Sequence, residues 1–169
     1  MAKQCKSYDA ISKGEKRYLI ELSIHSDDHY MKEALKLAQR AGEEGEIPIG
    51  AVVVVNKQII ARAYNQTEKL GDPTAHAEML ALTSATNYLG TKYLSDCSLY
   101  VTLEPCGMCA GALYWSQLGK LVYAAKDEKR GFKSINPKMI HPKTEIIEGP
   151  FAVEAGQLVT DFFKKLRNR

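Results

Sequence analysis

From Met31 onward the apolar residues fall at helical intervals, with Met31, Leu35 and Ala38 flanked by Ala34 and Leu37. Residues three and four apart share one face of an α-helix, so this segment predicts an amphipathic helix. Ser26 or Asp27 is placed to cap it, and Gly42 and Gly45 end it. The period then disappears. Ile49 to Val55 is an unbroken apolar run without helical spacing, and it reads as a strand buried on both faces. Asn56-Lys57 can turn the chain into a second strand, Gln58 to Tyr64. Beyond a polar loop, Asp72-Pro73 offers an N-cap and a first helical position, predicting a helix from there to about Tyr88 that stops near Gly90. Ser98 to Thr102 reads as a third strand, and Pro105 opens a helix ending near Gly119. A fourth strand spans Leu121 to Ala125. Asn136-Pro137 and His141-Pro142 mark a loop, Glu145 to Glu148 a short fifth strand, and Val153 to about Leu166 a closing helix. The order predicts an α/β fold with three layers around a mixed sheet.

Composition narrows this little. The 169 residues suit one domain with one core, and 45% hydrophobic with 25% charged residues belongs to a folded globular chain. Residues 1–25 show no sustained period and read as an extension without an assigned role, leaving residues 26–169 as the domain. The longest apolar stretch, Ile47 to Val55, is too short for a bilayer, and Glu21 interrupts Tyr18-Leu19-Ile20 where a signal peptide would need an apolar core. No membrane association and a cytoplasmic address are expected.

The charge is more informative in its placement than in its total. The net charge is only +3, yet Lys126 to Lys143 holds six basic and two acidic residues, and Phe162 to Arg169 holds four basic and no acidic ones. Such clustering predicts a polyanionic partner, against the plainer reading of a solvated helix end.

Chemistry concentrates in two short segments, Thr74-Ala75-His76-Ala77-Glu78 and Glu104-Pro105-Cys106-Gly107-Met108-Cys109. Both fall at predicted helix starts behind a proline. Cys106 and Cys109, three apart, share a helix face, and the partial positive charge of the helix N-terminus favours thiolate. With His76 as a third ligand from the facing helix, one position of a tetrahedral Zn²⁺ stays open for water, as in a catalytic site. Two thiolates neutralise the metal's charge, so a carboxylate is needed to take and return the water's proton. Glu78, about 200° round a helix from His76, is placed to face substrate instead of the ion.

Other readings exist. An isolated C-x-x-C can be a redox pair, and a closed structural zinc site would need a fourth ligand. Cys5, Cys97, His25, His29 and His141 show no spacing that provides one. H-x-E on one segment with P-C-x-x-C on another is already known as the signature of zinc nucleobase deaminases, and one Zn²⁺ per chain is expected.

From about Asp28 to Arg169 the chain resembles the bacterial tRNA-specific adenosine deaminases, which convert the wobble adenosine of an anticodon to inosine. The resemblance rests on Glu46-Ile47-Pro48-Ile49-Gly50-Ala51-Val52, on Asp72 to Glu78, and on Tyr100 through Glu104-Pro105-Cys106 to Ala112. Asp161-Phe162-Phe163 resembles that family's closing helix. The resemblance implies a cytidine deaminase-like α/β/α sandwich around a five-stranded sheet, usually a homodimer. It also implies that Asn65 bonds the base or its sugar, that Ile47 and Pro48 line the base pocket, and that Ala77 and Cys106 offer backbone contacts. Asp127 would lie near the ribose, where the bland alternative is a solvated loop charge. Lys164, Lys165, Arg167 and Arg169, beside Phe162 and Phe163, are candidates for the anticodon-loop contacts.

The sequence departs from the family pattern at Ala124-Ala125-Lys126-Asp127 and in a shorter, differently worded loop from Gly131 to Thr144. A deaminase of free guanine, cytosine or adenosine is the main alternative, sharing the zinc chemistry without an RNA face. A non-catalytic zinc module or a redox dithiol protein is a third, which has no use for Glu78.

Overall fold

The computed structural model describes residues 25–168. The extension read at residues 1–25 lies outside them, His25 excepted. The elements run α1 (Asp27–Glu43), β1 (Gly50–Val55), β2 (Gln58–Tyr64), α2 (Thr67–Leu70), α3 (Ala77–Leu89), β3 (Ser98–Leu103), α4 (Gly107–Trp115), β4 (Lys120–Ala125), α5 (Phe132–Ile135), a 3₁₀ turn (Pro137–Met139), β5 (Glu145–Glu148) and α6 (Ala152–Arg167). Among the described residues no helix is long and apolar enough to cross a membrane.

The five strands form one mixed sheet in the order β2-β1-β3-β4-β5. The hairpin β1–β2 and the pair β1–β3 are antiparallel, while β3–β4 and β4–β5 are parallel. Alternate residues of each central strand point to opposite faces, and both faces are covered. Ala51, Val53, Leu99, Val101, Leu121 and Tyr123 meet α3 and α4 through Ala81, Ala85, Ala110 and Leu113. Val52, Val54, Tyr100, Val122 and Ala124 meet α1 and α6 through Tyr30, Met31, Ala34 and Ala155. That is the α/β/α sandwich expected from the sequence.

The helix α1 lies close enough to β1 that only glycine fits between them. A Cβ on Gly50 would collide with the Ala34 carbonyl oxygen and come within 2.6 Å of the Ala38 nitrogen, both backbone atoms. Gly50→Ala should therefore destabilise the fold by about 3 kcal/mol, the upper range for overpacking a core. Denaturant unfolding reads this directly; an unchanged midpoint would mean that α1 shifts without cost.

Two boundaries and two loops differ from expectation, the loop from Gly131 to Thr144 holding α5 and the 3₁₀ turn. The helix assigned from Pro73 starts at Ala77, because Asp72 uses its carboxylate otherwise. Its Oδ1 accepts from the backbone N–H and the hydroxyl of Thr74, each at 2.7 Å, which closes a tight turn. The helix after Pro105 ends at Trp115, since Gln117 takes a left-handed backbone conformation at φ 51°. The polar loop after β2 contains the short helix α2, which the sequence did not announce.

Candidate active site

His76 and Cys106 occupy equivalent places: each is the N-cap residue of its helix, in extended conformation, and neither caps with its side chain. Serine or aspartate there would spend its side chain on the helix's free amides. Histidine and cysteine leave theirs free to ligate. Cys109, in the first turn of α4, is fully buried and turned to the same point. His76 Nδ1 lies 3.7 Å from Cys106 Sγ and 3.6 Å from Cys109 Sγ, and all three donor atoms fall within 4.8 Å of one another. No other such group occurs among the described residues, and Cys97, His25, His29 and His141 stand apart from it. Cys5 lies outside the described residues.

The three donor groups shift one another's proton affinities. The hydrogen bond from the Cys109 thiol, helped by His76, pulls Cys106 down to about 4, while donating that bond and being buried push Cys109 up. His76 is pushed up, first by its hydrogen bond to Cys106. The thiolate form is thus favoured at Cys106, where the donor set needs it.

Glu78, in the first turn of α3, is 3% exposed, and its Oε2 is buried without a hydrogen-bond partner among the described residues. Burial pushes its carboxyl up, and the Cys106 thiolate adds to this. An unpartnered buried carboxylate oxygen costs stability, so it marks a position shaped for chemistry instead of packing.

Above this floor opens a cleft of about 760 Å³. Ile47, Ile49, Leu103 and Glu104 line its depth, with His76, Glu78 and Cys106. The segment Lys126 to Arg130 forms one wall; Val159, Thr160, Phe163 and Arg167 of α6 form the other. Of the residues singled out in the sequence, Ile47, Asp127 and Arg167 are therefore brought to the cleft with the metal-site residues. Pro48 and Ala77 are buried and are not among its lining residues. Asn65 is not among them either: it is 1% exposed, and its Nδ2 donates to Glu46 Oε2 and to Thr67 Oγ1, each at 3.0 Å. Lys164 and Lys165 are exposed and stand off the cleft, while Phe163 faces it and Phe162 is half-buried. Asp127 already spends Oδ1 on the backbone N–H groups of Lys129 and Arg130, both at 3.0 Å.

Sequence reasoning missed two buried carboxylates. Glu46 accepts from the Lys69 amide at 2.8 Å and from Asn65, so it fixes which way the Asn65 amide faces. Glu104 accepts from the backbone of the cleft wall. Both stood inside segments quoted for the resemblance, but their partners lie about twenty or more residues away, beyond the reach of any local spacing.

The zinc-binding region described for cytidine and deoxycytidylate deaminases matches residues 24–125. The chain is 45% identical to the tRNA-specific adenosine deaminase of Aquifex aeolicus, over 83% of its own length and 96% of that protein. It is 44% identical to the enzyme of the same name from Bacillus subtilis, over 85% and 92%. The chain belongs to the cytidine and deoxycytidylate deaminase family. Among solved structures, this deaminase superposes on a tRNA:A34 deaminase studied for A-to-I editing with a TM-score of 0.73, at 39% identity, covering 78% of this chain and 99% of that one. It also superposes on the guanine deaminase of Nitrosomonas europaea at 0.69 and 25% identity, covering 91% and 96%.

Zinc is the family's metal, and the donor set fits it. Zn–S of about 2.3 Å and Zn–N of about 2.0–2.1 Å at tetrahedral angles set an S···N edge of about 3.5 Å. The deaminase has 3.6 and 3.7 Å. Three protein donors are one fewer than a closed structural site uses, which fits hydrolytic chemistry.

Proposed function

We propose that this deaminase converts adenosine to inosine at the wobble position of a tRNA anticodon, with residues 26–169 as the catalytic domain. The observation that carries the reading is the cleft. His76, Cys106 and Glu78 line it, with Cys109 buried behind them, and its walls carry Lys126, Lys129, Arg130 and Arg167 against Asp127 and Glu128. One base occupies a small part of such a volume, and the basic walls suit the phosphates that flank it. The names and extent of the curated relatives support the same substrate.

In this reading His76, Cys106 and Cys109 hold one zinc ion, which when bound supplies the Lewis acidity that makes water a nucleophile near neutral pH. Glu78 handles the protons. Its carboxylate takes one proton from the attacking water as the oxygen adds to C6 of adenine and gives it to N1, then carries the second proton from the added hydroxyl to the amino group, which leaves as ammonia. Adenosine and water become inosine and ammonia. The raised affinity of buried Glu78 for a proton suits both halves of that task. In this reading Ile47 lines the base pocket with Pro48 behind it, and Asn65 offers its Oδ1 to the base because Glu46 and Thr67 hold its Nδ2. The backbone at Ala77 and Cys106 adds contacts, and Asp127 faces the ribose.

Three anticodon stem-loops differing only in A, C or G at the wobble position test the reading. Inosine formed in the first alone is expected; uridine or xanthosine from the others would overturn the choice of adenine. Arg167 on the cleft wall, with Lys164 and Lys165 beyond it, is proposed to bind phosphates. Removing Lys164 to Arg169 should weaken stem-loop binding and flatten its salt dependence by about 0.7 in log–log slope for each phosphate no longer neutralised. An unchanged slope would return these residues to a solvated tail. A homodimer in the cytoplasm completes the proposal, checked by sedimentation for the first and fractionation for the second.

A further inference from the structure

The wall Lys126 to Arg130 lies between β4 and the four-residue α5. Its own ties are local or exposed, with Ser134 Oγ donating to the Glu128 carbonyl oxygen at 3.3 Å and Lys126 pairing with Glu148 at 3.2 Å, while one buried side chain joins it to the metal-ligand segment. Glu104 is 4% exposed; its Oε2 accepts the Asp127 backbone N–H at 3.2 Å and its Oε1 accepts that of Lys133 at 2.9 Å. The two bonds therefore hold the wall near its start and α5 just beyond its end. The same strand segment adds backbone ties, from Phe132 N–H to the Pro105 carbonyl at 2.9 Å and through a bridge between Cys106 and Gly131. Gly131 passes so close that a Cβ there would stand 2.5 Å from Glu104 Cδ and 2.6 Å from the Asp127 carbonyl oxygen.

We propose that Glu104 is a positioning residue that sets the substrate wall, and Asp127 with it, at a fixed distance from the metal ligand Cys106. Glu104 stands two residues before Cys106 in the chain and holds Asp127 through its backbone. A displacement of the wall thus moves the ribose contact relative to the reacting carbon. A misplacement near 1 Å can cost a reaction on the order of a hundredfold. Among the described residues no other side chain is shown bonding both amides, and a carboxylate can give one oxygen to each. This inference rests on the cleft being the substrate site, as proposed above.

Glu104→Gln is the sharpest variant. Its amide keeps one acceptor oxygen and turns an NH₂ group against the other backbone N–H, so one of the two ties is lost at constant volume. Gly131→Ala attacks the same clamp from the opposite side. Two readouts are taken on the zinc-loaded protein. Backbone amide exchange at Asp127 and Lys133 should quicken about tenfold or more at one or both, with zinc content unchanged. Turnover efficiency, kcat/KM, should fall about tenfold or more in either variant, and this loss should shrink to within about threefold when Asp127 is already alanine. Exchange that stays at the wild-type rate overturns the clamp. Equal loss with and without Asp127 overturns the positioning, since independent effects multiply. The exchange arm needs no substrate. Should wild-type protein leave the stem-loop untouched, the proposed RNA substrate fails, and the activity arm is run on whichever base the wild type does deaminate.

Discussion

Glu78→Gln should yield a folded protein with one zinc ion per chain whose turnover falls by roughly 10²–10⁴-fold, the range a positioned acid–base group contributes. Glutamine matches glutamate in shape and cannot carry the proton. Little else should change, because Glu78 Oε2 has no hydrogen-bond partner to lose among the described residues and the amide oxygen of glutamine can still accept from the Cys109 thiol. Stability should hold or rise, since the variant removes a carboxyl that burial already disfavours in its charged form. Activity, metal content and unfolding midpoint measured together separate this from a folding defect. A variant that turns over at the wild-type rate would remove Glu78 from the chemistry.

Cys109→Ala should abolish activity by a different route, through loss of the metal. The sulfur is fully buried and stands 3.6 Å from His76 Nδ1, so nothing from solvent can take its place without opening the helix start. With two protein donors left, zinc per chain should fall from near one to well below it after dialysis against a weak chelator. The protein should also become less stable, because metal binding to the native state is folding free energy. Cys97→Ala is the matched control: also buried, outside the donor group, and expected to keep its zinc. Stoichiometric metal in Cys109→Ala would contradict its role as a ligand.

The parts of this structure that were legible in the sequence are those decided by local spacing. The valine-rich run that became β1 could form little else, and β2 followed from a two-residue turn at Asn56-Lys57. The metal donors were legible because zinc coordination constrains residue types over a few positions. Helix starts were less so. Asp72-Pro73 has the chemistry of an N-cap, yet the Thr74 hydroxyl and amide captured its carboxylate first, and the cap fell to His76. That shift matters to function, since it sets the imidazole off the end of α3 while Glu78 stays within its first turn. The cleft itself was not legible. Its walls come from Lys126 to Arg130 and from α6, which the sheet brings together across a span no periodicity reports. The same holds for Glu46 with Asn65 and for Glu104 with Asp127, where a buried carboxylate finds backbone donors in a distant loop.

The central claim is tested most directly by giving the zinc-loaded protein an anticodon stem-loop with adenosine at the wobble position, beside free adenosine, cytosine and guanine at matched concentrations, and quantifying the deaminated products. Inosine in the stem-loop with little turnover of the free compounds is the predicted result. Rapid turnover of a free base or nucleoside with the stem-loop left intact would contradict it.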